Sequence, residues 1–502
     1  MFREGARIAA AMTEQVHSPV FSSGTRADAA TRRILEGGLA WELARFGTPL
    51  ALAMGLQVTF NLVDAYLIAR LGRDTAGPSL GAIGICDQIA ALGSIISYGV
   101  SIATAAILAL HHGRGDREGV RRVARDSLLV VGLLSVVFGL AGVLFAEPLI
   151  RDVVGAKGQV AELSVRYLRV IVGGSFSIFF LLQLTTIQRA LGSSKTPVAI
   201  LVGSNVLNLV LAVLLVYGPG EAPPVFSWGP PIAQALGIPR LELVGAAWAT
   251  VLARMAFLVP LLAVVQSRFQ LFRGRLRRPW DSSVLRRLVS IAWPASTQLV
   301  VRITAMLLTH SLVARAFTTP VDQRATTALG IVFRLETLAL FIGMGWGSAA
   351  QTFLGQNLGA RQLPRALRSG WFAAFYNVAW MIALAACFLA FAPQVVRFFD
   401  DDPDVVSTAV CYLSIVAPSY VALGAGIALG SAITGAGATK LTLTVDAFVV
   451  MLFQLPLSLW AVSGAHPSQT HLWWTLASTN VVFAIAYAAV YRGGGFVRGF
   501  QL

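Results

Sequence analysis

Charge is scarce in this chain. Asp, Glu, Lys and Arg make up only 13% of its 502 residues, whereas 56% are hydrophobic. A soluble fold would have to hide almost all of that apolar surface, so the composition points to a membrane protein. Cysteine is rarer still. Cys86, Cys387 and Cys411 are odd in number, sit in apolar segments and show no CxxC or CxxH spacing, which argues against a disulfide framework or a zinc site. Of the six histidines, His111 and His112 are adjacent. Neighbours on a helix diverge by about 100°, so they make a poor metal pair. "GRGDREG" (113–119) lacks the GK[ST] of a phosphate loop, which excludes a built-in ATPase motor. No nucleophile and base converge in the pattern, so an enzyme is not expected, and neither a cofactor nor a resident metal is implied.

Long apolar runs are what the chain does have. A hydrocarbon core of ~30 Å needs about 20 helical residues, and twelve segments qualify, near 46–71, 81–110, 126–147, 162–190, 196–217, 242–266, 288–316, 325–355, 369–392, 406–434, 440–462 and 469–491. The fold class expected is an all-α polytopic membrane protein. The net charge of +15 comes from Arg clusters between these segments, not from one basic face, so it does not point to nucleic acid. Most of the Lys and Arg falls on one side: the N-terminal arm, 113–125, 267–287, Arg361, Arg365, Arg368 and the C-terminal tail. The positive-inside rule then gives a multi-pass protein of the cytoplasmic membrane with both termini in the cytoplasm. Residues 1–40 carry no apolar core bounded by a cleavage signal and read as a disordered or interfacial arm rather than a signal peptide.

The chain also repeats itself. A shift of 245 residues places Pro49 on Pro294, Ala69-Arg70 on Ala314-Arg315, and Gly192 and Lys195 on Gly437 and Lys440. The offset spans six segments, an even number, so the halves share one orientation and should be related by an axis along the membrane normal. The expected domains are an arm (1–40), a first lobe (41–266), a basic cytoplasmic linker (267–287), a second lobe (288–492) and a tail (493–502). Parallel six-helix lobes around a central cleft are a geometry for alternating access.

One acid stands out in the first lobe. Gln57, Asn61 and Asp64 are spaced i, i+4, i+7 on an otherwise apolar segment, so they form one stripe that cannot face lipid. A charged Asp at mid-bilayer costs roughly 2.5–3.5 kcal/mol on the insertion scale. It must therefore meet a wet cavity, a cation or a proton, or else pair with Arg254 of the sixth segment as a structural tie. Ser204, Asn205 and Asn208 form a second polar stripe, and Thr250 follows the small residues of "GAAWA". Such oxygens suit either a hard monovalent ion or a proton-linked hydrogen-bond network, or simply join helices.

Taken together, "TPLALAMGLQVTFNLVDAYLIARLG", "GRGDREG", "IQRALGSSKTP", "VLNLVLAVLLVYG", "LVGAAWATVLAR", "SIAWPAS" and "GQNLGA" resemble the multidrug and toxic compound extrusion (MATE) family, nearest its DinF-like branch. The resemblance runs from about 45 to 492. It implies a V-shaped exporter of twelve helices that couples expulsion of bulky, often cationic amphipathic compounds to entry of protons or sodium. It places the cation site on Asp64, Asn208 and Thr250, and the drug-chamber lining on Gln57, Phe60, Asn61 and Thr185. A second acid usual in that branch falls on Ala212 here, which favours proton coupling over sodium at Asp64, Asn208 and Thr250. The expected partners are a small amphipathic substrate and the bilayer, with the protein a monomer.

The second lobe differs chemically, with Arg302 at the repeat position of Gln57 and Thr309 at that of Asp64. Arg302 and Glu336 are expected to form a buried pair, with a substrate or coupling role for Glu336 as the alternative. Asp87 is a candidate to attract a cationic drug in the cleft, and Asp446, close to Lys440, is expected near the cytoplasmic interface. The intramembrane residues Arg254, Arg302 and Arg334 keep a second function open, a flippase for lipid-linked oligosaccharide or peptidoglycan precursors, which would need a cationic cavity for a pyrophosphate.

Overall fold

The structure, a computed structural model, describes residues 26–270, 281–319, 322–463 and 468–500. Among these residues every regular element is helical, and twelve helices are long and apolar enough to cross a membrane. They are α1 (Leu39–Ala69), α2 (Arg73–Gly113), α3 (Arg117–Leu144), α4 (Gly158–Ala190), α5 (Lys195–Tyr217) and α6 (Glu242–Phe269), then α7 (Ser282–Phe317), α8 (Arg324–Gly359), α9 (Leu363–Arg397), α10 (Pro403–Gly435), α11 (Thr439–Ser463) and α12 (Gln469–Gly493).

Most helices overrun the expected apolar segments, and at α3, α7, α10 and α12 a polar side chain caps the first turn. α3 begins at Arg117 because Asp116 accepts a hydrogen bond from the Gly119 amide at 2.8 Å, while Gly115 turns the chain with φ +74°. Asp402 caps α10 in the same way through the Asp404 amide.

The repeat read from sequence is realised in packing. α1 packs on α5 and α5 on α6 in the first lobe, as α7 packs on α11 and α11 on α12 in the second. The principal contacts between lobes are α1 with α8, α2 with α7 and α2 with α8; the shift of six helices turns the first two into each other and the third into itself. Close approach at this seam is bought by small residues. A Cβ on Gly113 would stand 2.0 Å from the Gln356 carbonyl oxygen, and one on Gly359 2.2 Å from that of Leu110.

Three expectations about domain edges differ from what is observed. Within the arm 1–40, a helix at Arg26–Glu36 packs against α1, α6 and α8, with Thr31 and Ile34 buried. Thr31 Oγ1 reaches His112 Nε2 at 2.5 Å, and Arg365 donates to the carbonyls of Ile34 and Gly37. The helix is held because its carbonyl end meets a guanidinium. Within the expected linker 267–287, α6 runs on to Phe269 and α7 begins at Ser282, and 271–280 lies outside the described residues, as do 1–25 of the arm. In the tail, Phe496 and Val497 fold back into the second lobe's core.

Candidate functional site

The polar stripe on α1 meets the stripe on α5. Asn208 Nδ2 donates to both Asp64 oxygens, at 3.1 and 3.0 Å. Nearer the start of α1, Asn205 Nδ2 donates to Gln57 Oε1 at 2.9 Å, and Gln57 Nε2 donates to Asn61 Oδ1 at 3.3 Å. These amides form two rungs between parallel helices, with the carboxylate on the second. Ala212, one turn beyond Asn208, packs in an apolar cluster with Leu67 and Ile68, so no second acid joins the group from that position.

The charged neighbours that act on Asp64 are Arg254 on α6 and the accessible Asp87 on α2. Arg254 senses both acids but, among the described residues, forms no ion pair within 4 Å of either. Asp64 therefore has a neutral donor as its direct partner and a cation only at longer range. Such a carboxylate can take up a proton or a monovalent cation without first breaking a salt bridge.

The other expected residues are less tightly gathered. Thr250 donates to the Ala246 carbonyl within α6, and no hydrogen bond joins it to Asp64. Thr185 is buried and bonds to the carbonyls of Leu181 and Leu182, while its neighbour Thr186 lines a cavity between the lobes. Phe60 is half-buried and Asn61 accessible.

The second lobe corrects one expectation: Arg302 does not pair with Glu336. Its Nε donates to Asp446 Oδ2 at 2.5 Å, and its guanidinium lies 4.9 Å from the Phe483 ring centroid. Asp446, expected near the cytoplasmic interface, is 1% exposed and also accepts from Gln298 Nε2 at 2.9 Å and Tyr487 Oη at 2.5 Å. Thr439, Thr442 and Asp446, spaced i, i+3, i+7, share the inward face of α11, which carries the acid away from Lys440. That stripe was present in "TKLTLTVD" as the missed signal. Glu336 instead accepts from Tyr412 Oη at 3.0 Å. Each pair of repeat-related helices, α1 with α5 and α7 with α11, is thus joined by a carboxylate, but on the first helix in one lobe and on the second in the other.

A sequence model of the MatE family matches residues 49–214 and 303–460. The chain is 25% identical over 422 residues to a probable multidrug resistance protein, YpnP, of Bacillus subtilis strain 168, covering 84% of this chain and 88% of that one. It is 24% identical over 459 residues to an FAD transporter of Shewanella oneidensis, covering 90% and 94%. In fold it resembles the outward-facing conformation of a multidrug resistance MATE family transporter, with a TM-score of 0.82 at 20% identity over 96% of this chain and all of that one.

Proposed function

Because the chain belongs to the MatE family, whose members are transporters and not enzymes, we propose that it is a secondary antiporter expelling amphipathic, often cationic organic compounds across the cytoplasmic membrane, driven by proton entry. The observation that carries this reading is the partnering of Asp64 by Asn208 rather than by a guanidinium. In the proposed cycle a proton reaching Asp64 from outside neutralises it and rearranges the Asn208 and Gln57 rungs. That change releases substrate held near Gln57, Phe60, Asn61 and Thr185, with Asp87 and Glu336 as further contacts. Loss of the proton to the inside resets the site. Sodium at Asp64, Asn208 and Thr250 is the competing coupling ion, disfavoured by Ala212. The relatives' names, multidrug resistance protein among them, support the substrate class. The Arg distribution supports cytoplasmic termini, and we take the working unit to be a monomer.

Purified protein in proteoliposomes should expel a fluorescent organic cation when a pH gradient is imposed. Asp64→Asn should abolish this efflux while leaving the protein folded. Efflux that follows an imposed sodium gradient and ignores pH would replace the proton with sodium, and efflux persisting in Asp64→Asn would make Asp64 structural. The flippase reading is weakened because Arg302 is already neutralised by Asp446. Binding of a polyprenyl pyrophosphate without any binding of organic cations would restore it.

A further inference from the structure

At the seam, about ten residues before Asp64 on α1 and so roughly 15 Å from it along that helix, lies a cavity of about 50 Å³ whose walls come from both lobes. Tyr98 and Ser101 on α2 and Thr186 and Arg189 on α4 line it from the first lobe, and Ser348 on α8 and Thr434 on α10 from the second. Neither Asp nor Glu contributes to the wall.

Arg189 is only 8% exposed. Its Nη2 donates to Thr186 Oγ1 at 2.7 Å, while its buried Nε has no hydrogen-bonding partner in the protein. Among the described residues no acid pairs with it, and the titratable group it senses is Tyr98, which faces Arg302 as well. A buried cation without a counter-charge is costly. Arg189 lies in the last turn of the helix that ends at Ala190, whose carbonyl end offers only about half a negative charge. The remaining polar side chains of the wall are hydroxyls and the Gln351 amide, whose Nε2 donates to the Ile102 carbonyl at 3.1 Å. Among the described residues, the hydroxyl protons of Tyr98, Thr186 and Ser348 are committed to no protein acceptor. A guanidinium and free hydroxyls lining one cavity without a carboxylate suit a negative charge, since the guanidinium itself repels a cation.

A monatomic anion fits such a site, since a water needs only about 10–15 Å³ of cavity on this measure and the cavity offers about 50 Å³. We propose that this cavity binds a small monovalent anion, chloride under ordinary conditions, and that the bound ion holds the seam between the lobes shut. The walls are shared, so parting α4 from α8 and α10 dismantles the site. An ion that binds only the shut seam stabilises it in proportion to its concentration. The seam already carries neutral cross-lobe bonds, from Gln356 Nε2 to the Ala190 carbonyl at 2.8 Å and from Thr352 Oγ1 to the Arg189 carbonyl at 3.3 Å. The anion adds to these the one element that can leave and return.

The test uses the purified full-length protein in detergent at constant ionic strength, with chloride replaced stepwise by gluconate. A saturable rise in Tm with chloride is expected for the unaltered chain, and none for Arg189→Gln. Equal Tm in both salts, or an undiminished rise in Arg189→Gln, overturns the proposal. Should Arg189→Gln fail to fold, Thr186→Val and Ser348→Ala, which remove one donor from each lobe, should each raise the half-saturating chloride concentration about tenfold. An unchanged value in both also overturns it. Crystals soaked in bromide should show an anomalous peak in this cavity beside the Arg189 guanidinium, and a seam-closed crystal without that peak decides against the site.

Discussion

Asn208 Nδ2 spans both oxygens of Asp64, 3.1 and 3.0 Å away, across the contact between α1 and α5. An amide that grips both oxygens fixes the carboxyl's orientation without neutralising it, so charge and position are controlled separately. Asn208→Ala should therefore leave the protein folded and lower pH-driven efflux about tenfold, the loss of one charge-assisted hydrogen bond. Transport rates in proteoliposomes set beside detergent melting curves check this. Unimpaired efflux would mean that the orientation of Asp64 is immaterial.

Asp446 behaves differently because it is committed to Arg302, Gln298 and Tyr487 at once. Removing the acid alone leaves a guanidinium in the membrane. Asp446→Leu is expected to lower stability by up to about 3 kcal/mol, the lower end for a broken buried pair, since the Arg302 side chain is 36% exposed. Arg302→Met with Asp446→Leu should recover most of that loss. A double-mutant cycle measured by thermal melting would show coupling of about 1–3 kcal/mol.

The glycines at the crossing of α2 and α8 leave no space for a side chain. Gly113→Val would drive its Cβ into the Gln356 carbonyl and is expected to cost about 1–3 kcal/mol of seam stability. The variant should fold but hold the seam open, read as faster thiol labelling of a cysteine introduced at Ser348 in an otherwise cysteine-free chain.

Outside the membrane, Asp116 offers a test by pH. Burial pushes its carboxyl up, but the Gly119 amide and the His111 ring, with Arg122 beyond, outweigh this and hold it below the usual carboxylate value. A depressed folded value means that Asp116 stabilises above the unfolded value of about 3.9 and that this contribution fades as pH falls through the folded value. Asp116→Ala should melt lower at pH 7, by about 1 kcal/mol for a lost N-cap, and the gap to the unaltered chain should close below about pH 4. A pH-independent gap would show that the carboxylate's charge contributes nothing.

The spans were legible in the sequence because a bilayer imposes a length and an apolar composition that few other environments demand. Asp64 was legible for the related reason that an acid in such a run needs an explanation, and its stripe with Gln57 and Asn61 follows from helical spacing alone. The partner of Arg302 was not. Glu336 and Asp446 are both acids within reach by sequence, and only the packing of α7 on α11 selects between them. Arg189 was hidden for the opposite reason. It lies at the end of a span, where an Arg usually reaches water, and nothing local signals that α8 and α10 close over it.

The exchange of α1–α8 with α2–α7 under the repeat means that one kind of surface is used twice, on either side of the α2–α8 crossing. Either half can drift in its internal chemistry, acid here and ion pair there, without a matching change across the divide. Two identical halves would meet through these same surfaces, so the joint does not require the inequality that now separates Asp64 from Asp446.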